Sequence, residues 1–221
     1  MTRELFERKL RELQDDVLIM GSMVEKAVQR SMDSLRTRDR ALSSAVVDDD
    51  VAINSKRYEV EEKCIHILAL QGPMAADLRI VLAVLLIANE LERMGDHAEG
   101  IARINLMLGD EPVTGPMGDV IKMADKASSM LRRSLTAFVE RDAALARTIC
   151  DEDDEVDTLY DAAYHSLIQE MIRRPEEVQR LTYLIWTSHN LERIADRVTN
   201  ICERVIFVVT GQLEEINVSR Y

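Results

Sequence analysis

LERMGD at residues 91–96 and LERIAD at residues 191–196 are one phrase written twice, 100 residues apart. The copying extends outward from both. Ser34-Leu35 and Arg38-Asp39-Arg40-Ala41-Leu42 recur as Ser134-Leu135 and Arg141-Asp142-Ala143-Ala144-Leu145, and Pro73 recurs as Pro175, all at intervals of 100 to 103 residues. A nearly constant interval across this many positions marks a tandem duplication, so each half must be one repeated supersecondary unit.

Both halves read as helical. Aromatic residues are only 4% of the chain, with 8 glycines and 4 prolines in 221 residues, while Ala, Leu, Glu, Arg and Met abound. That composition favours helix and starves strands and turns. From Leu10 the apolar positions Leu13, Val17, Met20, Val24 and Ala27 follow at spacings of three and four, the stripe of a core-facing helix. The breakers divide the pattern at Gly72-Pro73, Gly109 to Gly118, Pro175 and Gly211. The first helix is expected to end near Arg38, and Asp39 to cap a second that runs to about Leu70. Pro73 is expected near the first turn of a third helix that Gly109 stops. After a linker the order repeats, with Asp142 and Pro175 in the places of Asp39 and Pro73. The predicted fold is all-α: two tandem three-helix bundles over residues 1–109 and 116–211, six long helices in all. Helices of ~30 residues are ~45 Å long, so the molecule should be elongated. The small residues Ala88, Gly95, Ala98 and Ala102 of the third helix should let it pack closely within its bundle.

The formal net charge of −12 repels phosphate backbones, which argues against nucleic acid. The longest apolar run, Ile80 to Ala88, is far short of the ~20 residues a membrane span needs, so no membrane insertion is expected. Cys64, Cys150 and Cys202 are scattered and lack metal or redox spacing, as expected of buried thiols in a reducing compartment. With a charged amphipathic start and no signal sequence, the expected location is the cytoplasm. Catalytic machinery is not visible: there is no Gly-rich phosphate loop or nucleophile elbow. None of His66, His97, His165 and His189 follows a glutamate by three residues, as a ferritin-type di-iron site requires. The chain does not read as an enzyme.

Chemistry concentrates in the acids. Glu92/Asp96 and Glu192/Asp196 each place two carboxylates on one helical face, one turn apart, where they repel. The second helix of the second half carries Asp153 and Asp157, and the duplication aligns Asp50 and Asn54 with them. Counted from a common end of the bundle, Asp50/Asn54 lie at ~18 Å and Glu92/Asp96 at ~21 Å, and their counterparts at ~20 and ~24 Å. The pairs should therefore face each other within a turn. Such hard-oxygen clusters suit Mg²⁺, Mn²⁺, Ca²⁺ or iron better than a closed structural zinc site. His189, three residues before Glu192, would draw preference toward a transition metal, whereas the first half has Asn89 there. Asn54 removes one negative ligand, so the first site should be the weaker. The competing reading is a surface lattice in which Arg57, Arg93, Arg193 and Arg197 neutralise these acids.

The duplicated Leu-Glu-Arg-x-x-Asp phrase, its continuation Asn200-Ile201-Cys202-Glu203 and the Asp-rich starts of the second and fifth helices resemble the PhoU family over residues 3 to 210. The resemblance implies side-by-side three-helix bundles, often homodimeric. It implies Glu/Asp-x-x-x-Asp motifs that bind iron, zinc, manganese or magnesium, in clusters, which here fall on Glu92, Asp96, Glu192, Asp196, Asp50, Asp153 and Asp157. It also implies a negative regulator of the phosphate regulon and of phosphate homeostasis. Its partners would be the ATPase subunit of the phosphate transporter and the sensor histidine kinase PhoR. The sequence departs at Asn54, and at Gly100 opposite Asn200, both in the first half. Two other readings stay open: a metal-carboxylate storage or redox protein, and a helical scaffold without metal. The phosphate link rests on the resemblance alone.

Overall fold

Asp39 and Asp142 each close one helix and open the next, and the computed structural model shows how alike the two corners are. At both, the preceding arginine is left-handed, with φ 60° at Arg38 and 57° at Arg141. The aspartate N–H donates to a carbonyl five residues back, Ser34 O at 3.0 Å or Ala137 O at 2.9 Å. Its carboxylate accepts from the N–H of Leu42 or Leu145, 2.9 Å in each case. This cap satisfies a first-turn donor that would otherwise lack a partner. Arg38 also reaches Asn105 Oδ1 and the carbonyl of Gly109, tying the corner to the far end of the third helix.

The structure describes residues 3–109 and 115–216, so residues 110–114 of the expected linker lie outside it. The first half consists of α1 (Arg3–Thr37), α2 (Arg40–Gln71) and α3 (Ala76–Leu108). The second consists of α4 (Gly118–Glu140), α5 (Ala143–Asp151), α6 (Asp153–Arg173) and α7 (Val178–Thr210). The expected all-α fold of two three-helix bundles is what forms, with three local differences. Pro73 precedes α3 by three residues instead of lying in its first turn. Pro175 opens a single 3₁₀ turn, Pro175–Glu177, before α7.

The third difference is a bend. The middle helix of the second half was expected to be continuous, but it is interrupted at Glu152. The Glu152 N–H is shared between Thr148 O at 3.3 Å and Ile149 O at 3.2 Å, a tightened turn rather than a break. Its carboxylate is drawn to α4, onto Arg133 at 2.6 Å and Lys126 at 2.9 Å. Register survives: Val46, Ile53, Val60 and Cys64 of α2 are buried, and so are their repeat equivalents Ile149, Val156, Ala163 and Leu167.

The apolar faces merge into one core that runs through both halves. The most extensive helix packing in the molecule joins α3 of one half to α7 of the other, antiparallel. Two polar links repeat reciprocally along that seam. Arg197 Nη1 lies 3.3 Å from Glu90 Oε2, which also accepts from Asn200 Nδ2 at 3.2 Å. Asn190 Oδ1, in the repeat position of Glu90, lies 3.0 Å from Nδ1 of His97, in the repeat position of Arg197. Ala88, Gly95, Ala98 and Ala102 are buried as expected, with Gly95 close against Ile53 of α2. All three cysteines are free and buried. Two of them are neighbours across helices: a hydrogen bond with Cys150, together with burial, raises the pKa of Cys202. Among the described residues, no helix is long and apolar enough to cross a membrane.

Candidate metal centre

In the first half, α2 and α3 approach closely because position 95 is glycine. A Cβ there would come within 3.1 Å of Ile53 Cδ1 and 3.3 Å of Asp50 Oδ1. Asp50 is thus pressed against the α3 backbone beside Glu92 and Asp96. Asn54 Nδ2 donates to Asp50 Oδ2 at 2.6 Å, while Asp50 Oδ1 is buried with no hydrogen-bond partner among the described residues. Burial, then the charges of Asp96 and Glu99, raise the Asp50 pKa, with Glu92 adding to them against the bond from Asn54. Asp96 lies at the rim and is also raised, by desolvation and by Glu99, against His97 and Arg93. Glu92 faces the guanidinium of Arg57, whose Nε is 3.9 Å from Oε1.

The second half concentrates charge more tightly. Asp153 follows the bend at Glu152 and is only 4% exposed. Burial, then Asp157, Asp196 and Glu192, push its carboxyl up to about 7. Burial also pushes Glu192 up to about 7, opposed by Arg193 and reinforced by Asp196 and Asp157. Glu192 Oε2 is buried without a hydrogen-bond partner among the described residues. His189 Nδ1 is 3.5 Å from it, too far to serve as one. The His189 pKa is lowered by burial and by Arg193, which keeps the ring in the neutral form that ligates metals. Asp157 and Glu192 open onto a surface pocket of ≈ 530 Å³ shared with Tyr160, Asp161, Tyr164, His165, His189 and Arg193.

The structure therefore brings Asp50 together with Glu92 and Asp96, and Asp153 and Asp157 together with Glu192 and Asp196. Glu99 belongs to the first group and was not singled out from sequence. Its signal was present as Asp96-x-x-Glu99, a spacing that continues the acidic face, and the second half has Thr199 instead. The arginine lattice forms in part. Arg193 Nη1 holds Asp196 Oδ2 at 2.9 Å and Arg57 Nη1 holds Glu61 Oε2 at 2.6 Å. Arg197, however, turns into the α3–α7 seam. These pairs leave the two orphaned oxygens, one in each half, unaccounted for. Among the described residues, no three His, Cys, Asp or Glu side chains converge closely enough to hold a metal as they stand. The donor set still fits a hard cation: carboxylate oxygens from two facing helices, one of them buried and unsatisfied in each half.

The family model described as the PhoU domain matches residues 17–104 and, a second time, residues 120–205. The chain belongs to the PhoU family. A PhoU homolog of Clostridium acetobutylicum, described as a phosphate-specific transport system accessory protein, is 37% identical over 218 residues, spanning 98% of this chain and 100% of that one. The crystal structure of PhoU from Pseudomonas aeruginosa superposes with a TM-score of 0.89 at 32% identity, covering 94% of this chain and 100% of that one. The phosphate transport system regulatory protein PhoU from Streptococcus pneumoniae gives 0.89 at 31% identity, over 95% and 99%. Both PhoU acidic groups described above lie inside the matched segments.

Proposed function

We propose that the protein is a regulatory accessory of phosphate transport whose two acidic groups bind divalent or transition metal ions. The observation that carries the metal reading is the pair of buried, unpartnered carboxylate oxygens, Asp50 Oδ1 and Glu192 Oε2, each inside an acidic group. A buried polar atom without a partner is costly, and a cation is the ligand these neighbours would welcome. Asp50, Glu92 and Asp96 would hold it in the first half, and Asp153, Asp157, Glu192 and Asp196 in the second. A bound ion supplies compact positive charge. Carboxylates from α6 and α7, or from α2 and α3, would hold it between two facing helices. The phosphate part is supported by relatives named as phosphate-transport accessory proteins. In this reading the protein works in the cytoplasm as a homodimeric, non-catalytic adaptor. It links the transporter ATPase subunit to the sensor histidine kinase and restrains phosphate uptake.

Calorimetric titration of Mn²⁺ into chelator-treated protein tests the metal reading. Asp153→Ala should lower the affinity of the second site about tenfold or more, and Asp50→Ala should affect a site that is weaker from the start. Equal losses would contradict that asymmetry, and no metal uptake would sink the reading. Co-purification with the transporter ATPase subunit and with the kinase tests the adaptor role, which fails if neither binds at micromolar concentration.

A further inference from the structure

The two halves handle one position differently. In the first, Arg57 is cradled by this chain: its guanidinium lies 4.0 Å over the ring of Tyr58, bonds Glu61 at 2.6 Å and faces Glu92 at 3.9 Å. One tyrosine and two carboxylates surround one guanidinium, the arrangement that combines charge pairing with cation–π stacking.

The buried positions Val46/Ile149, Ile53/Val156, Val60/Ala163 and Cys64/Leu167 fix the register between α2 and α5–α6. In that register Tyr58, Glu61 and Glu92 become Asp161, Tyr164 and Glu192. The cradle keeps its composition of one tyrosine and two acids, although the tyrosine and one acid have exchanged places. The arginine itself has become Tyr160. These three counterparts of the groups around Arg57, Asp161, Tyr164 and Glu192, line the ≈ 530 Å³ pocket together. Tyr160 adds an aromatic wall, 6.3 Å from Tyr164 and 6.3 Å from His189 between ring centroids. Arg193 also lines the pocket, with its guanidinium held on Asp196.

We infer that this pocket is a docking site for an arginine side chain of a partner polypeptide, whose guanidinium takes in the second half the place that Arg57 takes in the first. Two features favour an arginine carried on a chain over a small cation. The first-half template, Arg57, is itself a side chain that enters from a helix. In addition, the net charge of −12 steers basic polypeptide segments toward the molecule. The inference goes beyond the metal reading and is made for the metal-free protein, since an ion on Glu192 would compete for the same face.

The test uses the full chain with chelator present and a blocked Gly-Arg-Gly peptide as probe, followed by NMR titration. One peptide should bind per chain, shifting the resonances of Tyr160 and Tyr164. The matched lysine peptide should bind at least about fivefold more weakly, because ammonium lacks the planar face that stacks on tyrosine. Tyr160→Arg rebuilds the first-half arrangement and should weaken binding about tenfold or more by filling the pocket from within. Arg57→Tyr empties the first cradle and should create a second site, raising the stoichiometry to two. Thermal unfolding establishes that both variants are folded. Equal binding of the lysine peptide, unchanged binding to Tyr160→Arg, or no binding to the wild type would each overturn the proposal. Because no metal is present, these outcomes are separate from those of the Mn²⁺ titration.

Discussion

Asp153 and Glu192 are carboxyls held at about 7 in the fold, against about 4 in an unfolded chain. Between those values the folded protein binds protons that the unfolded chain has released, so stability falls as pH rises from about 4 to about 7 and then levels off. The two groups titrate as a coupled set, and the loss should be on the order of 2–4 kcal/mol together. Urea unfolding of metal-free protein at about pH 5 and pH 7.5 should show the drop. Asp153→Asn should remove about half of it, because Glu192 is raised by its own burial, and saturating Mn²⁺, which holds the carboxylates ionised and satisfied, should remove most of it. A midpoint that does not fall with pH in the wild type would refute the burial account of these residues. Residue identities made this site legible: the two Glu-x-x-x-Asp pairs and Asp153/Asp157 could be placed by helical spacing alone. Glu99 lay within the same reach, three residues after Asp96, but the orphaned oxygens did not, since an orphan is defined by which neighbours fail to reach it.

Among the elements, each corner is capped by one aspartate side chain. Asp142→Ala should cost about 1 kcal/mol by removing the acceptor for Leu145 N–H, and Asp142→Asn much less. Chemical denaturation of the three proteins checks this, and equal stability of the alanine and asparagine variants would show that the cap is not what holds the corner. Both Asp caps were readable as helix starts, and the breakers located nearly every helix end, since those signals are local. The bend at Glu152 was not readable. Nothing within residues 143–173 disfavours a straight helix as strongly as Lys126 and Arg133, two cations on another element, favour pulling Glu152 aside. The starts of α3 and α7 shifted for a milder reason: proline suits the first turn but also suits the approach to it.

Over the whole molecule the duplication predicts two bundles, whereas the packing makes a single core across α3 and α7. Heating should therefore give one cooperative transition, with circular dichroism and calorimetry agreeing. Two resolved transitions would mean that each half is stable alone. Glu90→Ala should lower that transition by about 1–3 kcal/mol, since it leaves a mostly buried Arg197 facing the seam without its partner. The seam was invisible in sequence because periodicity shows which face of a helix is apolar and not which helix will cover it. Its reciprocal links, Glu90 with Arg197 and Asn190 with His97, are those of a twofold interface, residue i to j and j to i. In a true homodimer every mutation would strike both sides of the axis at once. Here the two sides are one gene, so each can drift alone, and they have done so at Asn54 and Asp157, Arg57 and Tyr160, Asn105 and Val205. A symmetric frame has in this way acquired a left and a right hand.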